Sequence, residues 1–397
     1  MKTIETQTNL RVAYFFSFVS QMFFPIAIWL FFYTKYLTFK EIALISAFGY
    51  IASILLEIPT GAFADIVGRR KAIILSYFIF SATMLGIAFS TSFIMFLVFV
   101  ILGTLGDALY SGSLEALVYD SLKENGEEGH FTHVTTRMET LTWLGLFVGS
   151  ILGGFMYQFW FRLPYITQAF VTLIAGISAL KLVEPQIDSK KYRLSDFLVQ
   201  NTHGLRELFA NLRTSQLTII FIIIGSGYIT AASILGISQA KEYGIEPQIV
   251  GILFAGGYIV AAIISHFYPQ LRRMVGGNAL LIVATCMLIA SFVFAKHVGV
   301  VFGAFFILMR IASSTTFRNT RSILFNEFFS SKNRATALST LTLLTNLPYA
   351  ILAYLIGDYI DRTSPNAFSM VLGIGIVVLL VGQHIIFTLI RNINTSY

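Results

Sequence analysis

The stretch Gly61-Ala62-Phe63-Ala64-Asp65-Ile66-Val67-Gly68-Arg69-Arg70-Lys71 joins two apolar runs, each about long enough to span a membrane. A charged turn this short has to lie at the membrane surface, because backbone polar groups inside lipid must be satisfied internally. Gly68 permits the chain reversal, and the three basic residues after it place the turn on the cytoplasmic side. We expect Gly61 to let two helices approach closely, and Asp65 to cap a helix N-terminus or pair with a cation.

The composition around this stretch excludes a soluble protein. Hydrophobic residues make up 56% of the 397 residues and charged residues only 12%, against about 25% in an ordinary soluble domain. A chain of this length has room for about twelve spans of roughly 20 residues with short loops. The sequence therefore predicts an all-α integral membrane protein with twelve transmembrane helices.

Charge and cysteine content narrow the function classes further. The net charge of +7 is better explained by positive cytoplasmic loops and anionic lipid than by nucleic acid. The single cysteine, Cys286, excludes an intrachain disulfide or a cysteine-based metal cluster. No ATP-binding glycine loop or nucleophile arrangement is present. We therefore expect no cofactor, no metal and no enzymatic activity.

Lysine and arginine are concentrated on one side of the predicted spans. The bias places both termini in the cytoplasm of a plasma membrane or bacterial inner membrane. The first apolar stretch is too long and too aromatic for a cleavable signal peptide. The first and fourth spans are predicted as continuous helices over about 11–35 and 92–122.

A polar segment divides the chain into two halves of six spans. The prediction is an N-terminal bundle over 1–184, a linker over 185–214 and a C-terminal bundle over 215–397. Leucine and phenylalanine recur in the linker at spacings that suit an amphipathic helix on the membrane surface. A plain connecting segment is the alternative, and both interpretations place a domain boundary here.

The 61–71 stretch resembles the signature loop of the major facilitator superfamily, Gly-x-x-x-Asp-x-x-Gly-Arg-Arg/Lys between the second and third helices. The matching positions are Gly61, Asp65, Gly68, Arg69 and Arg70. The resemblance implies two pseudo-symmetric six-helix bundles and secondary transport by alternating access, driven by an ion gradient. It also implies that the loop controls conformation by stabilising the outward-open state through Asp65 and Gly61.

Spans four and ten carry ionisable side chains at the same spacing and with opposite charge. The two triplets are Asp107, Ser111 and Glu115 in span four and Arg310, Ser314 and Arg318 in span ten. On a continuous helix, each triplet forms one stripe about 12 Å long. An ionised side chain at bilayer depth costs at least about 2.5–3.5 kcal/mol unless it is paired or hydrated. The resemblance places both spans around a central cavity, where these charges would pair.

Four charged residues are candidates for a proton or substrate site, namely Asp107, Glu115, Arg310 and Arg318, and Asp107 is the foremost of them. A carboxyl group in a partly dry cavity can exchange a proton near neutral pH, or receive a cationic substrate. The alternative is a structural ion pair with an arginine of span ten. Arg310 is correspondingly either a site for an anionic group or the partner of Asp107.

Other charged residues are candidates for a cytoplasmic gate. Glu115 is predicted to pair with Arg318 or Arg321 when the cavity closes on that side. Asp120 points away from the Asp107 stripe and is interpreted as a loop anchor, with a transport role as the alternative. Arg137 is a candidate cation beside Asp65.

Three polar residues are predicted to line the cavity, namely Gln21, Tyr228 and Asn346. Span five carries Gly145, Gly149 and Gly153, a spacing that lets helix backbones pack closely. The segment from Gly149 to Gly154 also resembles the Gly-Pro-x-x-Gly-Gly signature of the superfamily's drug:proton antiporters, with Ser150 in place of the proline.

These patterns favour proton-coupled efflux of small amphipathic or cationic compounds, as in multidrug antiporters. The first alternative is a proton-coupled importer of a small polar or anionic nutrient. A second alternative is a non-transporting membrane receptor or scaffold on the same fold. The expected partners are a small-molecule substrate, protons and the lipid bilayer, without nucleic acid, and the expected state is a monomer.

Overall fold

The computed structural model describes residues 2–185, 202–328 and 334–395, which form helices and short connections without a β-strand. In chain order the helices are α1 (Lys2–Val19), α2 (Trp29–Tyr33), α3 (Phe39–Val67), α4 (Arg69–Phe89), α5 (Phe93–Tyr110), α6 (Ser113–Lys123), α7 (Phe131–Phe159), α8 (Leu163–Ala179), α9 (described over 202–208), α10 (Leu212–Thr230), α11 (Gly236–Glu242), α12 (Pro247–Val275), α13 (Gly277–Val293), α14 (Val300–Phe328), α15 (Arg334–Arg362) and α16 (Pro365–Thr395).

The helices confirm a multi-pass membrane protein. Ten apolar helical segments of the described chain are long enough to cross a bilayer. Two further apolar helices, α8 and α13, are shorter. Together these segments account for the twelve predicted spans, and large apolar side chains such as Phe159 and Val301 remain exposed on the helix surfaces, as expected for positions that face lipid.

The helices pack into two compact units with the same internal arrangement. In the first unit α4 packs against α5 and α8, and α1 packs against α7. In the second unit α13 packs against α14 and α16, and α10 packs against α15. These are the same span-to-span contacts displaced by six spans, as expected for two pseudo-symmetric six-helix bundles.

The boundaries of the two units do not follow the chain halves alone. The first unit contains Met1–Leu37, Ile45–Leu194 and Pro247–Ala255. The second contains Thr38–Leu44, Ser195–Glu246 and Gly256–Tyr397. The first turns of α3 and α12 are therefore assigned to a different unit from the rest of their helices.

Part of the predicted linker, residues 186–201, lies outside the described residues. Within the described part, α9 packs on the second unit rather than lying free. Leu208 is fully buried, and its carbonyl accepts a hydrogen bond from the Thr218 hydroxyl at 3.1 Å. The bundle boundaries at 184 and 215 and the membrane-surface helix stay predictions.

The first span is not the continuous helix predicted over 11–35. Helix α1 ends at Val19, a 3₁₀ turn covers Phe24–Ala27, and α2 follows. Pro25, which has no backbone N–H, is the second residue of this turn. The Phe24 amide donates instead to the side-chain oxygen of Gln168 at 3.1 Å. A buried amide side chain on α8 thus satisfies the backbone where the first span is broken.

The fourth span is also interrupted, which corrects the single stripe predicted for Asp107, Ser111 and Glu115. Helix α5 ends at Tyr110 and α6 begins at Ser113. Gly112 adopts a left-handed conformation, with φ of 71°, that side chains with a Cβ rarely adopt. Asp107 and Glu115 therefore lie on two different helices.

Close packing of the α7 glycines is present as predicted. A Cβ added at Gly145 or Gly153 would overlap the carbonyl oxygen of Phe18 or Phe24, respectively. At Gly149 an added Cβ would lie 2.7 Å from the Met22 carbonyl carbon. Because glycine has no side chain, α7 can lie directly against the broken part of the first span.

Candidate functional site

The first unit contains a cavity of about 450 Å³, which we call the aromatic cavity. It lies beside the breaks in the first and fourth spans and is lined by residues of both, including Gln21 and Tyr110. Seven aromatic side chains line it, among them Trp29, Tyr33 and Tyr165. Aromatic faces attract cations and apolar rings, so this wall suits an amphipathic ligand.

Asp107 contributes the one carboxylate of this lining, and its side chain is exposed to the cavity. Among the described residues it forms no ion pair, and the lining contains no lysine, arginine or histidine. A lone carboxylate at membrane depth is costly unless a proton or another cation neutralises it.

A second cavity of about 360 Å³, the polar cavity, lies in the same unit. Glu115 and Glu139 line it together with five serine or threonine hydroxyls, and again no basic side chain is present in the lining. Gln21 and Tyr110 line both cavities. The structure therefore brings Asp107 and Glu115 to adjoining cavities, with Gln21 between them.

The signature loop is held by a residue that the sequence analysis did not single out. The Glu184 carboxylate accepts hydrogen bonds from the backbone amides of Arg69 at 2.8 Å and Arg70 at 2.7 Å. These are the first two residues of α4, so Glu184 occupies the position of a helix cap and complements the helix dipole. Gly68, with φ of 103°, leaves room for this carboxylate, since an added Cβ would lie 3.0 Å from it.

The basic side chains of the loop are also bonded within the first unit. Arg69 forms an ion pair with Asp120 at the end of α6, and the Arg70 guanidinium donates to the Leu180 carbonyl at 2.9 Å. This ion pair is the contact that a loop anchor at Asp120 requires. The guanidinium carbon of Arg137 lies over the ring of Tyr14, 4.8 Å from the ring centroid.

The two remaining signature positions lie in the second half of α3. No described atom lies within 4 Å of a Cβ added at Gly61, so the described residues do not provide the close helix contact expected there. The side chain of Asp65 is outside what the structure describes. Its predicted partnership with Arg137, and its role in conformational control, stay predictions.

In the second unit, Arg310 is buried among neutral groups. Its guanidinium donates to the side-chain oxygen of Gln239 at 2.8 Å, and to the hydroxyl and carbonyl oxygens of Ser291 at 3.2 Å each. The ring of Phe292 lies 4.6 Å from the guanidinium carbon. Among the described residues Arg310 forms no ion pair. This arrangement supports a structural role for Arg310, through hydrogen bonds rather than through a carboxylate partner.

The other predicted residues of this unit are Arg318, Arg321, Tyr228 and Asn346. Arg318 is exposed, whereas Arg321 is partly buried with its guanidinium 5.8 Å from the Phe317 ring. Tyr228 is buried, and its hydroxyl donates to the Ala284 carbonyl at 3.3 Å. The side-chain oxygen of Asn346 is buried and has no hydrogen-bond partner in the described structure.

Three residues that hold these sites were missed from the sequence, namely Gln168, Glu184 and Gln239. Gln168 and Gln239 lie within helices and are almost fully buried, whereas Glu184 lies a few residues after the end of α8. Buried polar side chains in membrane helices usually satisfy a specific partner. That signal was available, although it does not identify the partner.

The described residues contain twelve apolar helical segments in two units of like packing, with a cavity that contains a carboxylate in one unit, which is the architecture of a multi-pass membrane transporter. The chain belongs to the Major Facilitator Superfamily, whose pattern matches residues 10–353.

Curated relatives are similar at low identity. YxaM, an MFS-type transporter of Bacillus subtilis (strain 168), is 24% identical over 266 residues, which cover 65% of this chain and 64% of the relative. Multidrug resistance protein 2 of the same organism is 24% identical over 226 residues, covering 56% and 54%. The match thus spans about half to two thirds of the length of these relatives.

Solved structures agree on the fold. A mutant form of the nucleoside transporter NupG superposes with a TM-score of 0.81 at 14% identity, covering 96% of this chain and all of that one. The peptide transporter POT superposes with a TM-score of 0.71 at 12% identity, covering 97% and 98%. At these identities the likeness concerns the fold alone.

Proposed function

We propose that this transporter exports small amphipathic or cationic compounds in exchange for protons, by alternating access. The main support is the position of Asp107 in a cavity lined by aromatic rings. Its carboxylate has no cationic partner among the described residues. The aromatic faces bind the apolar or delocalised part of the substrate. The carboxylate selects for positive charge.

The same geometry supplies the coupling. When the cavity is empty of substrate, a proton on the Asp107 carboxylate removes the cost of a bare charge at membrane depth. An arriving cation replaces that proton, which leaves through the water of the cavity. Because the proton and the cation compete for one carboxylate, uptake of one drives release of the other. The result is antiport.

Two of the relatives support export. Multidrug resistance proteins 1 and 2 of Bacillus subtilis (strain 168) are 25% and 24% identical to parts of this chain. The resemblance of the α7 segment to the antiporter signature points the same way. We further propose a monomer in the bacterial inner membrane with both termini in the cytoplasm, in accordance with the positive-inside bias.

Transport into inside-out vesicles tests this proposal. Vesicles containing the protein are energised to an acid interior, and lipophilic cations such as tetraphenylphosphonium are added while the internal pH is recorded. The expected result is a substrate-dependent alkalinisation that is lost in Asp107→Asn. Glu127→Gln removes one carboxylate from an exposed loop and serves as the matched control, with the wild-type response.

The importer of a polar or anionic nutrient is the alternative outcome. It predicts no pH response to any cation in protein that is shown to be folded. The observed surroundings of Arg310 offer it little support, because this arginine is 6% exposed and already hydrogen-bonded to neutral groups. If no cation changes the internal pH of the vesicles, polar and anionic nutrients are the next substrates to test.

A further inference from the structure

The polar cavity has no role in the exchange described above. It adjoins the aromatic cavity, since Gln21 and Tyr110 line both. Its two carboxylates, Glu115 and Glu139, form no ion pair with any described residue. The basic residue nearest to Glu139 in the sequence, Arg137, holds its guanidinium over the ring of Tyr14 at 4.8 Å and does not contribute to the lining.

The two cavities differ in their walls, but each contains acidic side chains that attract a cationic group. The aromatic cavity has mostly apolar walls and a single carboxylate, which suits a quaternary or delocalised cation. The polar cavity has hydroxyls and two carboxylates, which attract a second cation by charge. Both linings lack lysine, arginine and histidine. A positive charge is therefore favoured in each of the two cavities.

The break in the fourth span sets the separation of the two charged positions. Asp107 lies in the last turn of α5 and Glu115 in the first turn of α6, on either side of Gly112. Because the helix is interrupted at Ser111 and Gly112, the two carboxylates do not lie on one helical stripe, and they are connected instead by the cavity linings that share Gln21 and Tyr110. An elongated molecule that extends from one cavity into the other can reach both positions at once, and each charge then faces a carboxylate.

We propose that the preferred substrates are elongated dications, with one charge at Asp107 and the other at Glu115 and Glu139. This inference rests on the proposed function. One carboxylate in the aromatic cavity accepts the first cationic group. The second pair holds the other group in the adjoining cavity. A monocation fills the aromatic cavity alone and gains nothing from the second pair.

Binding of two probes that differ by one charge tests this inference. Decamethonium carries a trimethylammonium group at both ends of an alkyl chain, and decyltrimethylammonium carries one on a chain of the same length. Equilibrium dialysis of the purified full-length protein with each labelled probe gives two affinities. Wild-type protein is expected to bind the dication about tenfold more tightly, the effect of one additional charge contact in a partly desolvated site.

The variants separate the two cavities. The double variant Glu115→Gln/Glu139→Gln is expected to lose about tenfold in decamethonium affinity and to keep decyltrimethylammonium affinity within about twofold. Unchanged binding of the monocation also reports that the variant is folded. The single variants Glu115→Gln and Glu139→Gln give the same comparison if the double variant does not fold, and Glu127→Gln is the matched control.

The outcomes distinguish this inference from the proposed function. Equal wild-type affinity for the two probes, or an equal loss of both in the double variant, overturns the dication preference. If Asp107→Asn leaves the binding of both probes unchanged, the proposed function itself fails. A loss of both probes in Asp107→Asn, with a selective loss of decamethonium in the double variant, supports both.

Discussion

The carboxylate of Glu184 lies 2.7 Å from the backbone nitrogen of Arg70, across more than a hundred residues of sequence. Its other oxygen accepts the amide of Arg69 at 2.8 Å. The signature loop is therefore attached to the end of the sixth span by backbone hydrogen bonds, and not only by its basic side chains. This arrangement fixes the start of α4, the helix that forms the third span.

We predict that Glu184→Ala lowers the free energy of unfolding by about 1–2 kcal/mol, because two helix N-terminal amides lose a charged acceptor. Thermal unfolding of the purified protein in detergent measures the effect. Glu127→Ala, which removes a carboxylate from an exposed loop, is expected to leave the melting temperature unchanged. Equal melting temperatures of the two variants would show that the Glu184 cap contributes no stability.

Arg310 gives a prediction about stability rather than substrate binding. Replacement by glutamine leaves the Gln239 side chain and the Ser291 oxygens without their donor in a buried place, at a cost of about 1–3 kcal/mol. Arg318→Gln removes the same charge from an exposed position on the same helix. We expect a clear loss of thermal stability in the first variant and little change in the second.

A double variant tests whether Arg310 and Asp107 depend on each other. If Arg310 is held by neutral groups, the effects of Asp107→Asn and Arg310→Gln on stability add within about 0.5 kcal/mol. Thermal unfolding of both single variants and of the double variant measures this. Recovery of stability in the double variant would instead establish an ion pair between the two residues and remove the basis for a free carboxylate.

The glycines of α7 give a steric prediction. A Cβ at Gly153 overlaps the carbonyl oxygen of Phe24, so Gly153→Ala has to separate α7 from the broken first span. We expect a loss of about 1–3 kcal/mol. Gly375→Ala, on α16, is the control because no described atom outside its own stretch of helix lies within 4 Å of an added Cβ. A Gly153→Ala protein as stable as the control would mean that α7 and the first span do not pack this closely.

Local patterns predicted the helical spans and several of their contacts. Apolar length alone gave the twelve spans, and the glycine spacing of α7 gave a close helix contact, because both depend on neighbours in sequence. The signature positions also predicted the turn at Gly68, where a positive φ is required. These features follow from the chemistry of short segments.

The breaks and the polar partners could not be predicted in the same way. Gly112 is one of many glycines in apolar helices, and only its tertiary surroundings select the left-handed conformation there. Gln168 and Glu184 act on Phe24 and Arg69 from more than a hundred residues away. A single sequence reveals that such side chains need partners, and the fold determines which partners they find.

Proton release on ligand binding tests the central claim, that a proton and a cation compete for Asp107. Tetraphenylphosphonium is added to purified protein in weakly buffered detergent solution near neutral pH, and the pH change is recorded. We expect wild-type protein and Glu127→Gln to release protons in proportion to binding, and Asp107→Asn to release none. Binding without proton release in the wild type, or equal release in Asp107→Asn, would contradict the account.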